Sequence, residues 1–116
     1  MARAATTSDV FNAIAEPRRR EIIALLADGR TQAVGTLVVA LRLPQPAVSK
    51  HLGVLRKVGL VVVTRHGRER HYRLSPQELK PVHDWVKPFE RFWSAQLGRI
   101  KQRAERAAAE RNKEKK

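Results

Sequence analysis

Apolar residues along the chain recur at helical spacing, give way to two short β-type runs, and then return to helical spacing. Val10, Phe11 and Ile14 make a first short stripe, with Thr7 or Ser8 as the expected cap. Glu16-Pro17 ends that stripe, because Pro17 has no N–H to donate and disfavours helix at the preceding residue. The same proline suits the first turn of a second helix, which carries Ile22, Ile23, Leu25 and Leu26 and stops near Gly29. Arg18, Arg19 and Arg20 fall in that first turn, the wrong sign for the helix dipole, and are expected on a solvated face. A weaker third helix covers 34–41 through Val34, Leu37, Val38 and Leu41, although its β-branched centre also suits a buried strand. The fourth, 45–57, sets Val48, Leu52 and Leu55 on one face and Gln45, Ser49, Lys50, Arg56 and Lys57 largely on the other. Two short helices joined across "RLPQ" read as a helix-turn-helix, whose second helix enters the DNA major groove.

"LVVVTRHGRERHYRL" then contains two β-type runs, 60–65 and 69–74, around His66-Gly67-Arg68. Gly67 can supply the positive φ of a tight hairpin, and a hairpin at this point is a wing. The wing carries Arg65, Arg68, Arg70 and Arg73 against only Glu69. "SPQE" reads as a capping box, with Ser75 at the N-cap, Pro76 at the first helical position and Glu78 at the third. Pro81 and Pro88 should bend or divide the C-terminal helical region, but Leu79, Val82, Trp85, Val86, Phe89, Phe92, Trp93, Leu97 and Ile100 keep a helical stripe. "KQRAERAAAERNKEKK" has no large apolar residue and is expected as a fraying helix end and solvated basic tail. The expected architecture is mainly α with a small β-hairpin: one winged helix-turn-helix domain over 1–100 and a tail over 101–116.

Charge narrows the possible partners. With 24 Lys plus Arg against 11 Asp plus Glu among 116 residues, the formal charge is +13, which favours a polyanion. Cysteine is absent, so disulfides, thiolate metal sites and cysteine nucleophiles are excluded. The N-terminal stretch has no apolar signal region and no run is long enough to span a bilayer, so the chain is expected in the cytoplasm. The basic tail has no apolar face to insert, and no membrane partner is expected. HExxH, a Gly-rich phosphate loop and a nucleophile elbow are all missing, and Ser49 and His51 lie two apart on a helix and cannot pair. No enzymatic activity and no cofactor are therefore expected. The rival from another class is a non-specific nucleic-acid-coating or RNA-binding protein, but only Tyr72 lies near the basic surface as a stacking platform.

"EPRRREIIALLADG", "QPAVSKHLGVLRKVGLV", "RHGRERHYRL" and the Trp-containing C-terminal helix, in that order, resemble the ArsR/SmtB family of bacterial transcriptional regulators. The resemblance covers roughly residues 8 to 100 and implies a homodimer that binds a palindromic operator in double-stranded DNA, usually as a repressor. Val48, Leu52 and Leu55 hold the helix on the core and leave Gln45, Pro46, Ser49 and Lys50 for DNA, with Gln45 suited to an adenine edge. His51 is either a DNA contact or a histidine held within the fold. Arg65, Arg68 and Arg70 of the wing would track the backbone or enter the minor groove. The family's metal-sensing cysteines would fall in "TLVVAL", which has no ligand, and adjacent His83 and Asp84 cannot rebuild its second site. An effector is left unidentified. Trp85, Phe89, Phe92 and Trp93 are four of the six aromatic residues, an excess that suggests a second copy to bury them. Leu97 continues that interface, and Phe11 and Ile14 of the first helix are expected beside it.

Overall fold

A computed structural model describes residues 9–114. Its elements are α1 (Val10–Ile14), α2 (Pro17–Leu25), β1 (Gln32–Ala33), α3 (Val34–Leu41), α4 (Gln45–Lys57), β2 (Val61–His66), β3 (Glu69–Leu74), α5 (Lys80–Val86) and α6 (Ser94–Glu114). Single 3₁₀ segments, Pro76–Leu79 and Lys87–Phe92, precede and follow α5. The chain divides into two compact units, one ending at Val82 and the other starting at His83.

The first unit holds the core. Ile22, Leu26, Leu37, Val48, Leu52, Leu55, Leu60 and Val61 are fully buried, and burying side chains of this size contributes about 1.5–3 kcal/mol each. They come from α2 and its C-cap, α3, α4 and the residues that lead into β2, so the helix-turn-helix is fixed by its own apolar faces. Between α3 and α4 the chain turns on Arg42, which has φ 57 and ψ 40 and donates its N–H to the Val38 carbonyl. That left-handed conformation normally favours glycine. At the end of α4, Gly59 has φ +84, the Leu60 N–H reaches the Leu55 carbonyl and the Gly59 N–H reaches Arg56. This is a Schellman ending, and it aims the chain directly into β2.

β2 and β3 pair antiparallel from Val61↔Leu74 to His66↔Glu69 around a two-residue turn. Gly67 has φ +68 while Arg68 stays at negative φ, the pattern of a type II′ turn. β1 adds a third strand through Gln32↔Tyr72 and Ala33↔His71, giving the order β1-β3-β2. Sequence patterning does not reveal this strand, because two residues cannot display an alternation. Gln32 also donates from Nε2 to the Leu25 carbonyl at 2.7 Å, tying β1 to the end of α2.

Three local expectations are corrected. Asp9 caps α1, its Oδ1 accepting from the Asn12 N–H at 2.7 Å, while Thr7 and Ser8 lie outside the described residues. Arg19 and Arg20 are not merely solvated. Arg19 Nε donates to the Ala13 carbonyl at 2.6 Å, and Arg20 donates to Ile14 at 2.7 Å and Ala15 at 3.2 Å. Their charge is the wrong sign for their own helix start but the right sign for the C-terminal carbonyls of α1. Arg18 instead pairs with Glu21 at 3.1 Å. The capping box at Ser75 does not form: its side chain makes no cap bond, and its N–H is committed to the Leu60 carbonyl at 2.8 Å.

In the second unit, the 3₁₀ segment containing Pro88 separates α5 from α6, as a residue without an N–H would require. α6 runs on through Glu114, past the change expected near residue 100. Ala, Glu, Arg, Lys and Gln are strong helix formers, so losing the large apolar residues ends the packing stripe without ending the helix. Among the described residues, no helix is long and apolar enough to cross a membrane.

Candidate nucleic-acid interface

α4 presents a polar stripe in which Gln45, Ser49, Gly53 and Arg56 follow at spacings of four, four and three residues. At 100° per residue these four positions fall within an arc of about 80°, beside the buried face of Val48, Leu52 and Leu55, whose Leu52 also reaches the floor of the cleft. They form one wall of a cleft of about 420 Å³. The opposite wall is the wing, through Arg68, Glu69, Arg70 and Tyr72, and the first residues of α3 close one end. Arg56, Arg68 and Arg70 therefore line one cleft together, and the one acidic residue beside them, Glu69, aims its carboxylate at His71 on the other face of the hairpin.

Cross-strand register explains why the wing becomes basic where it does. Directly opposed residues of an antiparallel pair share a face, so Val61↔Leu74, Val63↔Tyr72 and Arg65↔Arg70 lie along one side of the hairpin. That side is apolar where it covers the core and carries two arginines where it passes beyond it. Two like charges directly opposed weaken a hairpin. Arg73 belongs to the other face, opposite Val62, along with the pair Thr64↔His71. On that face the His66 and His71 rings pack at a tilt of 47° with centroids 4.4 Å apart. His71 Nε2 lies 3.5 Å from Glu69 Oε1 but outside hydrogen-bonding geometry. No group of three or more His, Asp or Glu side chains among the described residues is arranged to hold a metal.

Of the residues expected at DNA, the structure brings Gln45, Ser49, Arg68 and Arg70 into the cleft. Pro46 and Lys50 are exposed on α4 but flank the cleft without lining it. Arg65 is exposed on the cleft-side face of the hairpin without forming part of the wall. His51 is half-buried, outside the lining, and its Nδ1 is enclosed without a hydrogen-bond partner among the described residues. Arg56 and Gly53 are additions. Both were legible from α4 itself, since they continue the stripe begun by Gln45 and Ser49.

The second unit carries a different surface. Phe92 is 68% exposed, Ile100 59%, Leu97 50% and Phe89 46%, and Trp93 and Trp85 also reach solvent. Trp85 and Phe89 pack ring to ring at 5.6 Å, and the Arg91 guanidinium lies over the Phe92 ring at 4.7 Å. Among the described residues, none of α5 or α6 is buried. In the first unit Phe11 is 41% exposed and Ile14 is half-buried against the core.

Residues 16–63 match the profile of the bacterial regulatory proteins of the arsR family. The chain is 41% identical over 74 residues to the HTH-type transcriptional repressor SmtB of Mycobacterium tuberculosis, covering 64% of this chain and 54% of SmtB. It is 33% identical over 81 residues to the arsenic resistance transcriptional regulator ArsR2 of Pseudomonas putida, covering 70% of each. Among solved structures, the ArsR-like transcriptional regulator from Rhodococcus sp. RHA1 superposes with a TM-score of 0.64 at 33% identity, over 87% of this chain and 92% of that one. With the helix-turn-helix, the wing and these relatives in agreement, the chain belongs to the ArsR family of winged-helix transcriptional regulators.

Proposed function

We propose that this regulator is a homodimeric, sequence-specific repressor that binds a palindromic operator through α4 and the wing. The observation that carries this reading is the cleft, which joins hydrogen-bonding side chains at the N-terminal end of α4 to three arginines from two elements. Gln45 and Ser49 are the base readers in this proposal, because a recognition helix contacts base edges with its N-terminal residues. Pro46 and Lys50 flank them, Lys50 on a phosphate. Arg56, Arg65, Arg68 and Arg70 hold the sugar-phosphate strands, and the repulsion between Arg65 and Arg70 is relieved when anionic phosphates lie against them. His51 is left to the fold, since its ring lies outside the cleft.

The second copy is proposed from the apolar surface of the second unit. Phe89, Phe92, Trp93, Leu97 and Ile100 are exposed in the single chain, a larger aromatic surface than a monomer in water normally leaves open. Trp85 joins them, and the same proposal assigns Phe11 and Ile14 to the interface. A two-fold dimer would set two α4 helices about 34–36 Å apart, one DNA turn, to read matching half-sites. The exposed face of α3 carries Val39 and Ala40 rather than metal ligands, so the signal that releases DNA is proposed to be something other than a thiolate-bound metal.

Selection of duplexes from a random pool, with sedimentation of the same protein at micromolar concentration, tests both halves. Enrichment of an inverted repeat by a dimer is the expected result. Enrichment of single half-sites by a monomer, or equal retention of RNA and every duplex, would overturn it.

A further inference from the structure

Gly53 stands in the interior of the 13-residue α4, a position where glycine is a poor choice. It loses the most backbone freedom on folding and has no side chain to shield the helix. The fold itself does not call for it. Gly29, Gly59 and Gly67 have positive φ, but Gly53 does not, and a Cβ built there meets nothing within 4 Å. What distinguishes Gly53 is its place. It lines the cleft one turn beyond Ser49 and one turn before Arg56, across from Arg68 and Arg70.

Resting on the DNA-binding function proposed for the cleft, we propose that Gly53 is the point of closest approach between α4 and the duplex. Without a Cβ, a sugar-phosphate strand can come against the bare helix backbone. The guanidinium groups of Arg56, Arg68 and Arg70 then surround its phosphates. Charge-assisted hydrogen bonds depend steeply on distance and alignment. A single methyl at position 53 holds the strand away from all three groups at once, so its effect on binding exceeds its size. The helix gives up stability at this position in exchange for contact.

The test compares Gly53→Ala with Gly98→Ala, whose glycine also sits inside a helix with open space around it but lies outside the cleft. The probe is a duplex selected by the wild-type protein from a random pool, with affinity read by fluorescence anisotropy and stability by thermal unfolding. Gly53→Ala should raise the Tm by about 3–6 °C and weaken binding by about fivefold or more, with Gly53→Leu weaker still. Gly98→Ala should leave affinity unchanged. A Gly53→Ala protein that is stabilised and binds as tightly as wild type would overturn the proposal. So would one with a lowered Tm, because the glycine would then serve the fold. If the wild type selects no duplex at all, the DNA-binding function itself falls and takes this inference with it.

Discussion

Replacing Arg70 with Thr should make the free protein more stable and its DNA complex weaker. Arg70 lies directly opposite Arg65 across the hairpin and lines the cleft. Removing one of two opposed like charges, and inserting a residue suited to strands, should stabilise the hairpin by about 0.2–1 kcal/mol. On DNA, each lost phosphate contact reduces the slope of log affinity against log salt by about 0.9. A fourfold rise in salt then changes the ratio of wild-type to variant affinity by about 3.5-fold for one contact. For a dimer that loses two contacts the slope falls by about 1.8 and the ratio changes about 12-fold. The assay is anisotropy on one duplex from 50 to 200 mM salt, roughly the range over which such slopes are linear, beside thermal unfolding of the free protein. Because Arg70 is proposed to touch phosphate, operator and random duplex should suffer alike. An unchanged slope would remove Arg70 from the interface, and a lowered Tm would show that the arginine pair is not a source of strain.

Arg42→Gly should stabilise the protein by roughly 0.5–1 kcal/mol in urea unfolding, because it relieves a side chain held at φ 57; a lower midpoint would contradict this. Arg19→Ala removes the 2.6 Å bond to the Ala13 carbonyl, and α1, with five residues, is too short to persist unaided. Amide exchange should quicken at Asn12 through Ala15 while α4 stays protected, and uniform exchange across both would refute a local role. Phe92 is 68% exposed in the single chain, so Phe92→Ala should shift sedimentation from dimer to monomer with little change in circular dichroism. Unfolding, or an undisturbed dimer, would count against the proposed interface.

The helix-turn-helix and wing were legible because each is bounded by residues with strong local rules. Val48, Leu52 and Leu55 define the buried face of α4, Gly59 ends it with a Schellman motif, and Gly67 turns the hairpin. What escaped was set by tertiary partners. The register of β1 depends on Tyr72 and His71, some forty residues away along the chain. Arg19 and Arg20 look misplaced within α2 and make sense only with the end of α1 beside them. Ser75 has the sequence of a cap, but the Leu60 carbonyl already holds its N–H and the adjoining turn is 3₁₀. In α6 the apolar stripe and the helix end at different places, since helix propensity outlasts the residues that would pack. The candidate site was largely visible: Gln45, Ser49, Arg68 and Arg70 came from patterning, and Arg56 and Gly53 continue the same stripe of α4, although only the cleft set them against the wing.

The central claim, that α4 reads bases from within this cleft, is tested most directly by the specificity ratio of Gln45→Ala and Ser49→Ala. Affinity for the selected operator and for random duplex is measured at one salt concentration, for wild type and both variants. A base contact is worth about 1–3 kcal/mol of discrimination, so each variant should lose that much on the operator and almost nothing on random DNA, with the dimer intact. Equal losses on both duplexes, or a wild type that does not distinguish operator from random DNA, would contradict the account.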